Sequence, residues 1–205
     1  MSVNRSEQLG VDFFARDALV CAQDLLGCTL HHRDCSGIVV ETEAYRAVGD
    51  EACHTFFKRN ARTFVDVNET GACYIYLNYG VHWLLNILTR STTGDEGFVL
   101  IRAVEPITGL TAMHQRRTKS KKLKDADLCS GPGKLTQAMG IGPGYHETDL
   151  TSPTSEVFFT ARTSVPDIVT GPRIGITKAT DLPWRYGIKG SKHLSRPFPK
   201  GTSGR

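Results

Sequence analysis

Val39-Val40-Glu41-Thr42-Glu43-Ala44-Tyr45 reads as a β-strand, and the fold is worked outward from it. β-Branched and aromatic residues dominate the stretch, and Gly37 precedes it at a turn. Unbroken alternation puts Val39, Glu41, Glu43 and Tyr45 on one face. Two carboxylates and a phenol on one strand face are costly to bury without partners. The strand is therefore expected to carry chemistry as well as packing.

On its N-terminal side, residues 12–26 predict a helix with Asp17 as a plausible N-cap. Leu19, Val20, Ala22, Leu25 and Leu26 supply its apolar stripe, and Gly27 ends it. Residues 28–33 and 38–45 then predict a hairpin around a turn at 34–37. On the C-terminal side, residues 46–70 are polar and read as irregular. Residues 72–79 form a second strand, with Cys73, Ile75 and Leu77 facing one way and Tyr74, Tyr76 and Asn78 the other. Gly80 turns the chain, and 81–88 return. Residues 98–104 make another strand, stopped by Pro106. Thr108 caps a helix to about Arg117, and Ser130 starts one to about Met139. Residues 157–161 and 174–177 look strand-like. Strands and helices do not alternate regularly, so the fold class is α+β: one domain over 1–205, with a mostly antiparallel or mixed sheet and a basic tail from about residue 196.

Composition agrees. A chain of 205 residues, 40% hydrophobic and 22% charged, is ordinary for one globular domain. No apolar run approaches the roughly 18 residues of a membrane helix. The first seven residues lack the apolar centre of a secretory signal, so an intracellular protein is expected. Cys21, Cys28, Cys35, Cys53, Cys73 and Cys129 form no C-x-x-C pair and read as reduced thiols filling core volume. Cys28, His31, His32 and Cys35 are the one cluster worth testing for a metal. All four would lie on a short hairpin without a second ligand pair, so none is expected.

The net charge is +4, unevenly distributed. Arg116, Arg117, Lys119, Lys121, Lys122 and Lys124 crowd together, and residues 184–205 hold Arg185, Lys189, Lys192, Arg196, Lys200 and Arg205 without an acid. Such runs are either solvated surface or a footprint for a polyanion.

Four features could carry chemistry. Glu43, on a strand leading into a polar loop with His54, could act as a general base on water or be an ordinary ion-paired glutamate. Tyr74 and Tyr76 suit cross-strand packing, whereas Tyr79, just before Gly80 at a hairpin tip, is badly placed for a core and well placed to wedge into a duplex. Ser130-Gly131-Pro132-Gly133-Lys134-Leu135 fails the Walker pattern and keeps only an anion-favouring helix start with a lysine. Arg102, at the end of an apolar strand, needs a partner, and Glu43 is a natural one.

Together these segments resemble the 3-methyladenine (alkyladenine) DNA glycosylase family. The matching text is Val40–Tyr45, Asp50–His54, Tyr74–Tyr76, Asn78–Gly80, His82–Asn86, Val99–Ala103, Cys129–Leu135 and Arg173–Ile176, in family order over nearly the whole chain. The resemblance implies a single domain with a β-hairpin reaching into the minor groove. It implies that Glu43 activates the attacking water, held with the help of Arg102. Tyr45, His54 and Tyr76 would surround the extruded base, Asn86 would reject guanine, Tyr79 would fill the gap in the duplex, and Lys134 with the basic runs would hold the backbone. The implied substrate is double-stranded DNA containing alkylated or deaminated purines, attacked by a monomer that needs no metal or organic cofactor. No lysine stands where a nucleophile would be required, so simple hydrolysis to an abasic site is expected. One departure falls at residues 57–70, where Thr63 replaces a common Met and a longer, Pro-free loop is expected. Two other classes compete: a non-catalytic nucleic-acid or ribosome-binding module, and a small-molecule hydrolase using Glu43.

Overall fold

In the computed structural model, which describes residues 5–117 and 123–199, the chain opens with two short helices, α1 (Val11–Phe14) and α2 (Ala18–Asp24). The single helix expected over 12–26 is divided. Asp17 leaves helical geometry to cap α2, and its carboxylate accepts a 2.8 Å hydrogen bond from the Leu19 amide. β1 (Thr29–His32) and β2 (Cys35–Arg46) follow as an antiparallel hairpin. His32 lies opposite Cys35, so the turn is Arg33–Asp34 rather than 34–37.

The stretch expected to be irregular contains α3 (His54–Phe57) and α4 (Arg59–Val67). The loop expected at 57–70 is thus mostly helix, with Ala61, Phe64 and Val65 as its buried stripe. β3 (Cys73–Asn78), β4 (His82–Arg90) and β5 (Glu96–Thr108) form a meander. β5 runs through Pro106, which lies opposite Gly37 beside a register shift, where an N–H is dispensable. Thr108 caps nothing: it ends β5, and its hydroxyl shares a 2.8 Å hydrogen bond with Ser36. α5 (Leu110–Arg117), α6 (Asp125–Leu128) and α7 (Pro132–Met139) come next. Gly131, not Ser130, stands at the N-cap of α7, with Pro132 in its first turn. The chain closes with β6 (Val157–Thr160), β7 (Ile168–Gly171) and β8 (Arg185–Ile188). Residues 174–177 are not a strand.

The strands build one curled antiparallel sheet in the order β3-β4-β5-β2-β1-β6, with β8 joining β2 to β7. β2 is its centre. One edge pairs with β5 throughout; the other pairs first with β1 and then, at Glu41–Glu43, with β8. The changeover coincides with a β-bulge. Val39 lies opposite Val104 and Glu41 opposite Ala103, which leaves Val40 without a partner. The extra residue resets the alternation. Val39 and Ala44 enter the main core, and the Thr42 hydroxyl bonds the Ala22 carbonyl of α2. Glu41, Glu43 and Tyr45 point the other way, so the expectation that Val39 shares their face is corrected.

α2 and α7 cover one side of the sheet over a core that includes Phe14, Leu25, Ile87, Ile101, Leu135 and Phe159. A smaller cluster of Phe64, Tyr74, Leu88 and Phe98 lies under α4. All six cysteines are free and buried. The Cys28–Cys35 cluster is no ligand set. His31 bonds Thr160 and stacks on Phe158, while His32 bonds the Met139 carbonyl and the Tyr145 hydroxyl. Among the described residues no three His, Cys, Asp or Glu side chains are grouped to hold a metal, and no helix is long and apolar enough to cross a membrane.

Among the described residues of the basic runs, Arg116, Lys124, Lys189, Lys192 and Arg196 are exposed and Arg185 is buried. Lys119, Lys121, Lys122, Lys200 and Arg205 lie outside the described residues. Arg116 donates to the Ala138 carbonyl and Arg117 to Gln137, tying α5 to the end of α7. Arg185 is buried against Glu41, with its guanidinium 3.9 Å from the Phe198 ring centroid. Residues 196–199, expected to begin a tail, are thus packed on β8.

Candidate active site

A cleft of about 820 Å³ opens between the β3–β4 hairpin, α3 and the segment 174–178. Tyr45, His54, Tyr74, Tyr76 and Phe98 wall it with rings, and Asn86, Leu100 and Arg102 share the lining. Phe56, Phe57, Tyr79 and Lys178 also line it. The alternation of β3 explains much of this: Cys73 and Ile75 go to the main core, so Tyr74 and Tyr76 must face the cleft.

Glu43 has no exposed surface and stands behind the cleft wall. Its Oε2 accepts from the Tyr45 hydroxyl at 2.7 Å. Its Oε1 accepts from the Ile174 amide at 2.7 Å and faces Arg102 Nη1 at 3.2 Å. All three partners line the cleft, so the carboxylate is one side chain away from it. Burial alone would lower the Arg102 pKa, but the charges of Glu43 and Glu41 outweigh it and hold it above the ordinary arginine value. Burial, reinforced by the Glu43 charge, pushes the Tyr45 phenol well up, so it remains a donor.

His54 begins α3 and packs its ring 4.2 Å from that of Tyr76. Its Nδ1 lies 3.1 Å from the Tyr74 hydroxyl and its Nε2 3.2 Å from Lys58 Nζ. Burial and then the Lys58 charge lower its pKa to about 4, so the ring is neutral near pH 7. An ammonium cannot accept, so Nε2 accepts from Lys58, and Nδ1–H donates to Tyr74. Burial likewise raises the Tyr74 phenol to about 12 and lifts Tyr76 further. Asn86, opposite Tyr74 in the ladder, donates its amide to the Tyr74 carbonyl at 3.2 Å.

Tyr79 occupies the hairpin tip, 84% exposed, with φ 50°. Gly80 follows at φ 67°, and the Val81 amide closes the turn onto the Asn78 carbonyl. A non-glycine residue in left-handed geometry with a bare aromatic ring is a strained and unusual placement. Lys134 lies outside the cleft. It is exposed in the first turn of α7, with Nζ 3.3 Å from Ser130 Oγ. Gly133 keeps that turn close to the tip end of the hairpin, since a Cβ there would fall 2.6 Å from His82.

The structure thus brings Glu43, Arg102, Tyr45, His54, Tyr76 and Asn86 into and just behind one cleft, sets Tyr79 at its mouth and leaves Lys134 beside it. Sequence reasoning passed over two further groups. Glu41, fully buried, accepts from Arg102 Nε at 3.1 Å, from Arg185 Nε at 2.7 Å and from both the amide and the hydroxyl of Ser195. Asp50 and Arg173 form a fully buried pair at 2.6 Å, and the Arg173 guanidinium lies 4.5 Å from the Tyr45 ring centroid and 5.1 Å from that of Trp184. Three buried acids (Glu41, Glu43, Asp50) therefore face three buried arginines (Arg102, Arg173, Arg185), and the charges cancel. The strand pattern signalled Glu41; nothing local joins Asp50 to an arginine 123 positions away.

Comparison with known proteins agrees with this geometry. Residues 12–192 match the family model described as methylpurine-DNA glycosylase. A relative from Rhodopseudomonas palustris, provisionally named a 3-methyladenine DNA glycosylase, is 45% identical over 91% of this chain and 89% of its own length. Relatives of the same provisional name from Bradyrhizobium diazoefficiens and Chlorobaculum tepidum are 44% and 41% identical, over 92% and 94% of this chain and 90% and 93% of their own. With a cleft of this kind and a family match over most of its length, the chain belongs to the methylpurine-DNA glycosylases.

Proposed function

We propose that this chain, as a DNA glycosylase that hydrolyses N-glycosidic bonds, extrudes alkylated or deaminated purines from duplex DNA and releases them with a Glu43-activated water. Family membership carries the reaction class. The observation that carries the finer reading is the placement of one buried carboxylate, Glu43, directly behind a ring-walled cleft with Tyr79 at its mouth.

A base inside a duplex hides its glycosidic bond, so the nucleotide must leave the stack at a cost of a few kcal/mol, least for a damaged or mispaired base. Tyr79 restacks the hole and offsets part of that cost. In the cleft the base lies among Tyr45, His54 and Tyr76, whose π faces favour electron-poor, cationic purines. Asn86, part of the cleft lining, rejects guanine by collision with its exocyclic amine. A carboxylate has about four acceptor positions; Tyr45 and Ile174 donate to Glu43, and a further position is left for a water beside the ion-paired Arg102. Glycosidic cleavage develops positive charge on the sugar, as in glycoside hydrolysis, and Glu43 stabilises it while taking the water's proton. Lys134, on the turn beside the hairpin, contacts phosphate. The product is an abasic site, released by a monomer without metal or cofactor.

The test is incubation with duplex DNA carrying 3-methyladenine or hypoxanthine, followed by alkali. Strand breaks at the lesion are expected. Binding without breaks would favour a non-catalytic module, and neither binding nor breaks would favour a small-molecule hydrolase.

A further inference from the structure

We infer that Glu41, fastened by Ser195, is a positioning residue that aims Arg102 at Glu43. The inference rests on the assignment of Arg102 and Glu43 to the reaction made above. Arg102 is tethered through all three of its nitrogens: Nε to Glu41 at 3.1 Å, Nη1 to Glu43 at 3.2 Å and Nη2 to Ser195 Oγ at 3.3 Å. A guanidinium prefers to grip one carboxylate with two parallel bonds. Here Glu41 holds Nε, so Glu43 receives Nη1 and keeps a position open for another partner.

Glu41 is itself held. Arg185 Nε reaches the same Oε1 at 2.7 Å, the Ser195 hydroxyl donates to it at 2.7 Å, and the Ser195 amide donates to Oε2 at 2.5 Å. Arg185 also donates to the Arg196 carbonyl and covers Phe198. The segment after β8 therefore fastens the carboxylate that fastens the arginine, although its sequence carries no catalytic motif.

The charges give the inference its sign. Glu43 is faced by Arg102 from β5, Tyr45 from β2, Tyr76 from β3 and Arg173 from the segment preceding Ile174. Arg185, from β8, is neutralised by Glu41. Removing the Glu41 charge leaves one buried arginine in excess next to Glu43 and frees Arg102 to close on it with two bonds.

Single-turnover excision by Glu41→Gln and Ser195→Ala, measured from pH 5 to 9 on a hypoxanthine duplex, is the test. Glu41→Gln is expected to cut the rate by up to about 10²-fold, with lesion-duplex affinity changed less than threefold. Ser195→Ala, which leaves every charge in place, is expected to slow excision severalfold and to add little in the double variant. It also serves as the readout if Glu41→Gln does not fold. Unchanged rates in the folded variants would overturn the inference while leaving Glu43 in its role. Full excision by Glu43→Gln would overturn both.

Discussion

The Tyr45 hydroxyl donates to Glu43 Oε2 at 2.7 Å, and the two residues stand two positions apart on the cleft side of β2. The phenol's raised pKa keeps that proton in place. A hydrogen bond donated to a carboxylate favours its charged form. Tyr45→Phe keeps the ring for stacking and removes only the donor. Single-turnover excision should fall by about 10-fold or more, in keeping with the roughly 1.5–3 kcal/mol of a charged hydrogen bond, and lesion affinity should change little. Excision rates on the folded variant check this; an unchanged rate would remove Tyr45 from the control of Glu43.

Glu43→Gln conserves shape and abolishes basicity. Base release should fall by at least about 10²-fold while duplex binding persists, the lower end of what a positioned general base contributes. Excision and gel-shift titrations on one preparation separate the two, and unchanged excision would exclude Glu43 from the mechanism.

Tyr79→Ala removes an exposed ring, so the fold should be untouched. Affinity for lesion-containing duplex should drop by roughly 1–3 kcal/mol, the range of base–aromatic stacking, and affinity for undamaged duplex by less. Equal losses on the two duplexes would speak against insertion.

His54 sets a pH dependence of stability. Its pKa is about 4 folded and 6.5 in its ordinary state, so between those values the unfolded chain binds more protons. Its contribution is fully present above pH 6.5 and is lost as pH falls toward 4. His31 and His32, also lowered by burial, act in the same direction. Urea midpoints should fall across this window, and His54→Gln should flatten part of the slope.

The Asp50–Arg173 pair is buried on both sides, so losing one partner strands the other charge. Asp50→Asn should cost about 3–5 kcal/mol, and replacing both partners by apolar residues of similar volume should restore much of it. Chemical denaturation of the two single variants and the double checks this; additive losses would show that the two residues are not coupled.

The parts of the fold legible from sequence were those set by local pattern. β3 alternates cleanly, so the division of Cys73 and Ile75 from Tyr74 and Tyr76 could be read directly, as could Tyr79 at a tip formed by Gly80. What escaped was set by distant contacts. The bulge at Val40 leaves no mark in composition, α4 buries only Ala61, Phe64 and Val65 among polar neighbours, and β8 is a strand because β2 has a vacant edge after β1 leaves it. The site followed the same rule. Glu43, Arg102 and His54 are suggestive by residue type, while the partners Ser195, Arg185 and Arg173 become visible only when the chain returns to β2.

The unpaired Val40 makes chain length at one point as demanding as chemistry. Deleting it would barely change composition or hydropathy, yet everything before it on β2 would slip one step against β1 and β5. Holding that earlier register would instead carry Glu43 into the place of Thr42, a bare charge on the oily side beneath α2, and the Tyr45 ring into that of Ala44. Grafting this strand onto another scaffold would require carrying the surplus residue along with the acids it aims.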